Sequence, residues 1–107
     1  MTTPEPTFEH HTVSETAVVL VVHGELDIGS ADALRAALDS AEAEHTTVVR
    51  VDAGEVRFLD STALGVILAC AQRLEARGGR MELLNVTPAV RRILDLTLIS
   101  RTVHLIP

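Results

Sequence analysis

The sequence predicts an α/β domain: a small mixed, mostly parallel β-sheet with helices packed against it, in the order β-β-α-β-α-β-α-β. Three observations carry that expectation. Runs rich in β-branched residues alternate with stretches whose apolar residues recur at helical spacing. The helical stretches between strands are about a dozen residues or longer, as right-handed crossovers between parallel strands require. The 107 residues allow one domain and leave little room for a second.

Met1 to Pro6 holds two prolines among polar residues and reads as a disordered leader, so the domain is expected over 7–107. Thr7 to Ser14 gives a weak edge-strand signal. Ala17 to Val22 (AVVLVV) suits a strand covered on both faces. A loop over Glu25 to Ser30 follows, with Gly24 and Gly29 near its ends. Ser30 then caps a helix that places Leu34, Ala37, Leu38 and Ala41 on one stripe and runs to about Glu44. Thr46 to Val51 is the next strand, and Asp52 to Glu55 the loop after it.

A second helix begins near Asp60 or Ser61 and aligns Leu64, Ile67, Leu68, Ala71 and Leu74. Gly78-Gly79 ends it, because glycine takes the left-handed conformation common after helices. Arg80 to Leu84 is strand-like. Asn85 to Pro88 is a turn in which Thr87 as cap and Pro88 as first residue start a third helix through Leu94. Val103 to Ile106 adds a last strand.

Composition narrows the function. Fifteen acidic residues against nine basic ones give a formal charge of −6, and Phe8 and Phe58 are the only aromatics. Such a chain lacks the cation clusters and stacking platforms that nucleic acids require, so no nucleic-acid partner is expected. Cys70 has no second cysteine to pair with and sits in an apolar helical stretch, where a buried small hydrophobe is expected. The first residues lack the basic and apolar regions of a secretory signal. The longest apolar stretch, Ala63 to Ala71, is about half of a membrane span. A cytoplasmic protein without a membrane partner is the expectation.

Catalytic patterns are missing. Glu25, Asp27, Asp52 and Asp60 all follow predicted strands, the edge where α/β sheets bind ligands, but a domain this small lacks an ordinary substrate cleft for a glycosidase pair. His10 and His11 point to opposite faces of a strand, and His23, His45 and His104 are scattered, so no metal or cofactor is expected. Neither a phosphate-binding loop nor a serine nucleophile elbow occurs. A phospho-receiver needs a lysine ammonium beside its carboxylates; the sequence has no lysine, and arginine does not replace that compact charge. No enzyme activity is expected.

What remains is Phe58-Leu59-Asp60-Ser61-Thr62-Ala63-Leu64-Gly65, where a hydroxyl pair stands at a helix entrance. On position alone, Asp60 or Ser61 is a helix cap. The segment also resembles the pattern Phe-x-Asp-Ser-Ser-Gly-Leu-Gly around the phosphorylated serine of STAS-domain proteins, specifically bacterial anti-sigma factor antagonists. Gly24-Glu25-Leu26-Asp27 is similar to that family's Gly-Glu-Leu-Asp loop. Gly78-Gly79-Arg80-Met81-Glu82-Leu83 is similar to its Gly-Gly turn, and Thr87-Pro88-Ala89-Val90-Arg91-Arg92 to its Ser/Thr-Pro-x-Val-x-Arg helix. The four blocks stand in order between residues 16 and 106. The chain departs from the pattern at Thr62, at Ala63 (a methyl where a partner's backbone would approach) and at Leu98, where many members have glycine. With the sequence ending at Pro107, the terminal helix common in the family is expected to be missing or very short.

The resemblance implies a STAS fold and a partner-exchange function. The unmodified protein would bind an anti-sigma factor that is also a serine kinase, and so release the sigma factor. Phosphorylation of Ser61, with Thr62 as the alternative acceptor, would break the complex, and a serine phosphatase would restore it. Asp27 and Asp60 match the acidic residues beside the acceptor, and Glu25, Leu26, Thr62 and Leu64 complete the implied partner surface, with Ile28 as a further apolar contact. The alternative is a constitutive STAS scaffold subunit of a transport or signalling complex that is not phosphorylated.

Overall fold

The computed structural model describes residues 6–43, 45–97 and 102–106. In chain order the elements are β1 (Thr7–Thr12), β2 (Ala17–Leu26), α1 (Ala31–Ala41), β3 (Val48–Leu59), α2 (Ser61–Ala76), β4 (Arg80–Leu84), α3 (Pro88–Thr97) and β5 (Val103–Ile106). The order of elements is the expected one. α1 stops at Ala41, short of the expected end near Glu44, with the Glu42 N–H closing it on the Leu38 carbonyl; the leader before Pro6, Leu98 and Pro107 lie outside the described residues.

The strands form one five-stranded sheet in sequential order, β1-β2-β3-β4-β5. β1 runs antiparallel to β2, and each later neighbouring pair is parallel. Every βαβ step moves one strand in the same direction, so right-handed crossovers lay α1, α2 and α3 over one face. Burial follows from this. Val18, Leu20 and Val22 of β2, Val49 and Val51 of β3, and Met81 and Leu83 of β4 share one core with Leu34, Leu38, Leu64, Ile67, Leu74 and Leu94 from the helices. The alternate residues Val19 and Val21 are only half-buried. β2 is therefore covered on one face rather than on both, because sequential strand order leaves the opposite face without a helical layer. On that open face Glu82 is 7% exposed and accepts from Arg50 Nε at 2.8 Å and Arg80 Nε at 2.7 Å.

Two strands outrun their expected length. β2 continues through Gly24 and Glu25 to Leu26, and β3 crosses the segment expected as a loop, Asp52 to Glu55, to reach Leu59. The pairing is irregular there, with register shifts between Val21 and His23 and between Gly24 and Glu25. A bulge lets a strand continue through residues of poor strand propensity. β4 stops at Leu84, opposite Asp52, and β1 pairs no further than His23. Gly24–Leu26 and Val56–Leu59 thus leave the sheet as a two-stranded ribbon, and the chain segments of interest sit at its tip.

The helix boundaries have local causes. Gly78 has φ +79°, and its N–H and that of Gly79 bond back to the carbonyls of Glu75 and Leu74, closing α2. A Cβ on Gly79 would lie 2.1 Å from the Thr47 carbonyl oxygen, so only glycine fits between α2 and β3. Thr87 Oγ1 accepts from the Val90 N–H at 3.3 Å and Pro88 is the first residue of α3, which runs past Leu94 to Thr97. Ser30 occupies the cap position of α1, but its hydroxyl makes no cap bond. It turns into the preceding loop instead.

A phosphoacceptor-type helix entrance beside an acidic loop

The C-terminal ends of adjacent parallel strands bring two loops together: Leu26 is paired with Leu59, and Asp27 and Asp60 follow them. The Asp60 N–H donates to the Leu26 carbonyl at 3.0 Å, which seals the junction. In the loop between β2 and α1, the hydroxyl of buried Ser30 accepts from the Asp27 N–H at 3.0 Å, and Asp27 Oδ1 accepts from the Ser30 N–H at 3.1 Å. This reciprocal pair closes the turn and explains why the Ser30 hydroxyl is not available to α1.

Asp60 caps α2. Its Oδ1 accepts from the Ala63 N–H at 2.9 Å. Its Oδ2 accepts from the Ile28 N–H at 2.9 Å. With Asp60 as the cap, Ser61 is the first residue of α2 and exposed, and its hydroxyl makes no hydrogen bond among the described residues. Thr62 is exposed as well. The two hydroxyl residues open on different sides of α2. Ser61 borders a cleft of about 350 Å³ with Leu64, Leu68, Gln72 and Thr97. Thr62 borders a groove of about 290 Å³ between α1 and α2, flanked by Arg35 and Arg73.

Three carboxylates, Glu25, Asp27 and Asp60, gather on the two loops and the ribbon of this end. Among the described residues, no ion pair involves Glu25, Asp27 or Asp60. The unpaired first-turn amides of α2 supply the local positive potential. A group carrying negative charge on Ser61 would be tolerated by its own helix and would repel an acidic neighbour.

Not all expected contact residues reach the surface. Leu26 is 2% exposed and Leu64 5% exposed. Both belong to the core, so Leu26 offers a partner no surface and Leu64 only the edge that lines the cleft beside Ser61. Ala63 is fully buried: its methyl points into the core, and the departure from the family pattern lies inside the molecule rather than on a partner face. Asp52 does not join Asp27 and Asp60. It sits within β3 opposite Val21, where its Oδ1 accepts from the Gly54 N–H and from Asn85 Nδ2, each at 3.1 Å. Glu25 is half-buried on the ribbon, paired with Phe58. The exposed apolar groups at this end are Ile28, 77% exposed, and Phe58, 48% exposed. Ile28 is an expected contact; Phe58 is not, and its pairing opposite a glutamate on the uncovered face explains its exposure.

Away from this end, Cys70 is fully buried, as expected of a small core residue, and its thiol donates to Glu42 Oε1 at 3.2 Å. Burial and that carboxylate push the thiol up to about 12, so it carries no reactive thiolate at neutral pH. Burial alone would raise Glu42, but the Arg73 guanidinium, the Cys70 thiol and the charge of Arg77 together hold it below the usual glutamate value. His23 Nε2 lies 2.9 Å from Glu9 Oε2, and no cluster of three metal-ligating side chains occurs among the described residues. None of the helices described is long and apolar enough to cross a membrane.

Comparison with known proteins agrees with this architecture. The model of the STAS domain matches residues 9–107. The anti-sigma F factor antagonist of Paenibacillus polymyxa is 32% identical over 93 residues, spanning 83% of this chain and 74% of that protein. Two solved structures of SpoIIAA are similar as well. The unphosphorylated anti-sigma factor antagonist matches with a TM-score of 0.70 and 30% identity, over 84% of this chain and 83% of that one. The phosphorylated form, described as a Bacillus cell fate determinant, matches with a TM-score of 0.73 and 26% identity, over 94% and 92%. A family match over nearly the whole chain, joined to the same fold and to relatives named as anti-sigma factor antagonists, establishes that the chain belongs to the STAS domain family.

Proposed function

We propose that this protein is an anti-sigma factor antagonist whose binding is switched by phosphorylation of Ser61. Unmodified, it binds an anti-sigma factor that is also a serine kinase, and the sigma factor is released. Phosphate on Ser61 breaks the complex, and a serine phosphatase regenerates the binding form. The observation that carries this reading is the exposed, unbonded hydroxyl of Ser61 at the first position of α2, flanked by Asp60 and the Asp27 loop.

The physics of such a switch is electrostatic. A phosphate adds about −1.5 to −2 charges. The helix entrance accommodates it, since first-turn amides favour an anion. A partner face that fits the unmodified serine meets new charge and new bulk. Two unit charges 4 Å apart interact by about 4 kcal/mol at an effective dielectric near 20. Half of that against one acidic group of the partner weakens binding by more than tenfold. The similarity to SpoIIAA in both its unphosphorylated and phosphorylated forms supports a switch that acts at the interface and leaves the fold in place.

The test is to incubate the protein with its cognate anti-sigma kinase and ATP. One added phosphate by mass is expected on the wild type and none on Ser61→Ala, which should remain bound to the kinase. Dissociation of Ser61→Ala at the wild-type rate rejects Ser61 as the switch. A single phosphate that persists in Ser61→Ala but is lost in Thr62→Ala moves the acceptor to Thr62. If no phosphate is added to any form, the protein is a constitutive scaffold.

A further inference from the structure

We infer that Asp60 is a positioning residue for partner recognition: one carboxylate oxygen holds the head of α2 while the other holds Ile28, so the acceptor helix and the apolar loop tip form one surface. The inference rests on the reading above that this end of the molecule receives an anti-sigma factor.

Two bonds of equal length define the arrangement. Asp60 Oδ1 accepts from the Ala63 N–H at 2.9 Å, within its own helix. Asp60 Oδ2 accepts from the Ile28 N–H at 2.9 Å, across to the β2–α1 loop. A cap needs only the first. The second goes to a residue that is 77% exposed, the tip of a loop whose next residue is Gly29. The other side-chain bonds of that loop, between Asp27 and Ser30 and from Ser30 to Glu25, are internal to the segment and do not fix it against α2. Asp60 is the side chain that does so. An exposed aliphatic residue held in place has lost conformational freedom before binding, and a partner that buries it avoids that ordering cost.

The chemistry of the two acceptors permits a clean separation. Asparagine caps helices about as well as aspartate, through its one carbonyl oxygen. Its amide nitrogen carries only donors and cannot accept from the Ile28 N–H. Asp60→Asn therefore leaves one acceptor for two N–H groups, so cap and tether can no longer both be made, and Asp60→Ser, a shorter cap, keeps the bond within α2 and loses the tether.

Hydrogen exchange and binding to the cognate anti-sigma factor are measured on the whole protein. In Asp60→Ser the Ile28 amide should exchange about tenfold faster while the melting temperature stays within about 4 °C of wild type. Binding should weaken by about five- to tenfold. The double variant Asp60→Ser with Ile28→Ala should bind no more weakly than Ile28→Ala alone, since Asp60 acts through Ile28. An unchanged exchange rate at Ile28 in both Asp60→Asn and Asp60→Ser, with normal wild-type binding, overturns the inference and leaves the proposed function standing. Additive losses in the double variant also overturn it. A wild-type protein that does not bind the anti-sigma factor overturns the functional reading itself, whatever the exchange at Ile28.

Discussion

Ser61 and Asp60 stand next to each other and divide two tasks between them. The aspartate makes the cap bond, and the serine hydroxyl is left free of structural duty. Stability separates them. Asp60→Ala should cost about 1–2 kcal/mol through loss of the cap, whereas Ser61→Ala should stay within about 0.5 kcal/mol of wild type, as surface substitutions usually do. Urea unfolding of both variants checks this, and a loss for Ser61→Ala as large as that for Asp60→Ala would show that the serine caps the helix. The sequence pointed to this pair as alternatives. The choice between them depends on which side chain the incoming strand aims at the first turn, and that direction comes from the pairing of Leu26 with Leu59.

At the scale of the element, α2 carries a glycine it does not need for its own packing. A Cβ on Gly65 meets nothing within 4 Å, and the residue lies on the exposed side of the helix, one turn beyond Ser61. Gly65→Ala should therefore raise stability by about 0.5–1 kcal/mol, read as a higher denaturant midpoint. A loss instead would mean that the helix surface is tighter than its geometry indicates. In the sheet, Glu82 is the ionic centre of the uncovered face. Hydrogen bonds from Arg50 and Arg80 hold its carboxyl below the usual glutamate value. A carboxylate lowered in the folded state stabilises the fold above its unfolded pKa of about 4.3, and that contribution fades as pH falls through the lower folded value. Glu82→Gln should cost about 1.5 kcal/mol at neutral pH, where two charge-assisted bonds are lost, and the cost should shrink steadily below about pH 4. A cost that does not change between neutral and acid pH would assign the effect to packing.

Across the whole molecule, the core reaches up under the acidic end, where Leu26, Val56, Leu59 and Leu64 belong to it, while Ser61 stays exposed on the first turn of α2. Ser61→Asp should accordingly weaken anti-sigma factor binding by more than tenfold while melting within about 4 °C of wild type. Calorimetry beside a binding titration reads both, and a variant that unfolds would place the serine in the structure rather than in the switch.

How much of this was legible in the chain depended on whether the signal was local. Thr87-Pro88, Gly78-Gly79, the β-branched runs and the helical stripes are preferences of short segments, and each appeared where its residues predict. The extension of β2 and β3 through Gly24, Asp52 and Gly54 was not, because those residues favour turns and become strand only when a neighbouring strand supplies hydrogen bonds. The burial of Leu26 and Leu64 was hidden for a related reason: a leucine beside a functional motif looks like a contact until the helix layer is known to cover it. The sequence by itself determined the order of elements, a mostly parallel sheet and the position of the hydroxyl at a helix entrance. Only the tertiary structure decided which oxygen caps the helix, which apolar side chains face solvent, and that one aspartate joins loop and helix, because these depend on groups far apart along the chain being brought within bonding distance.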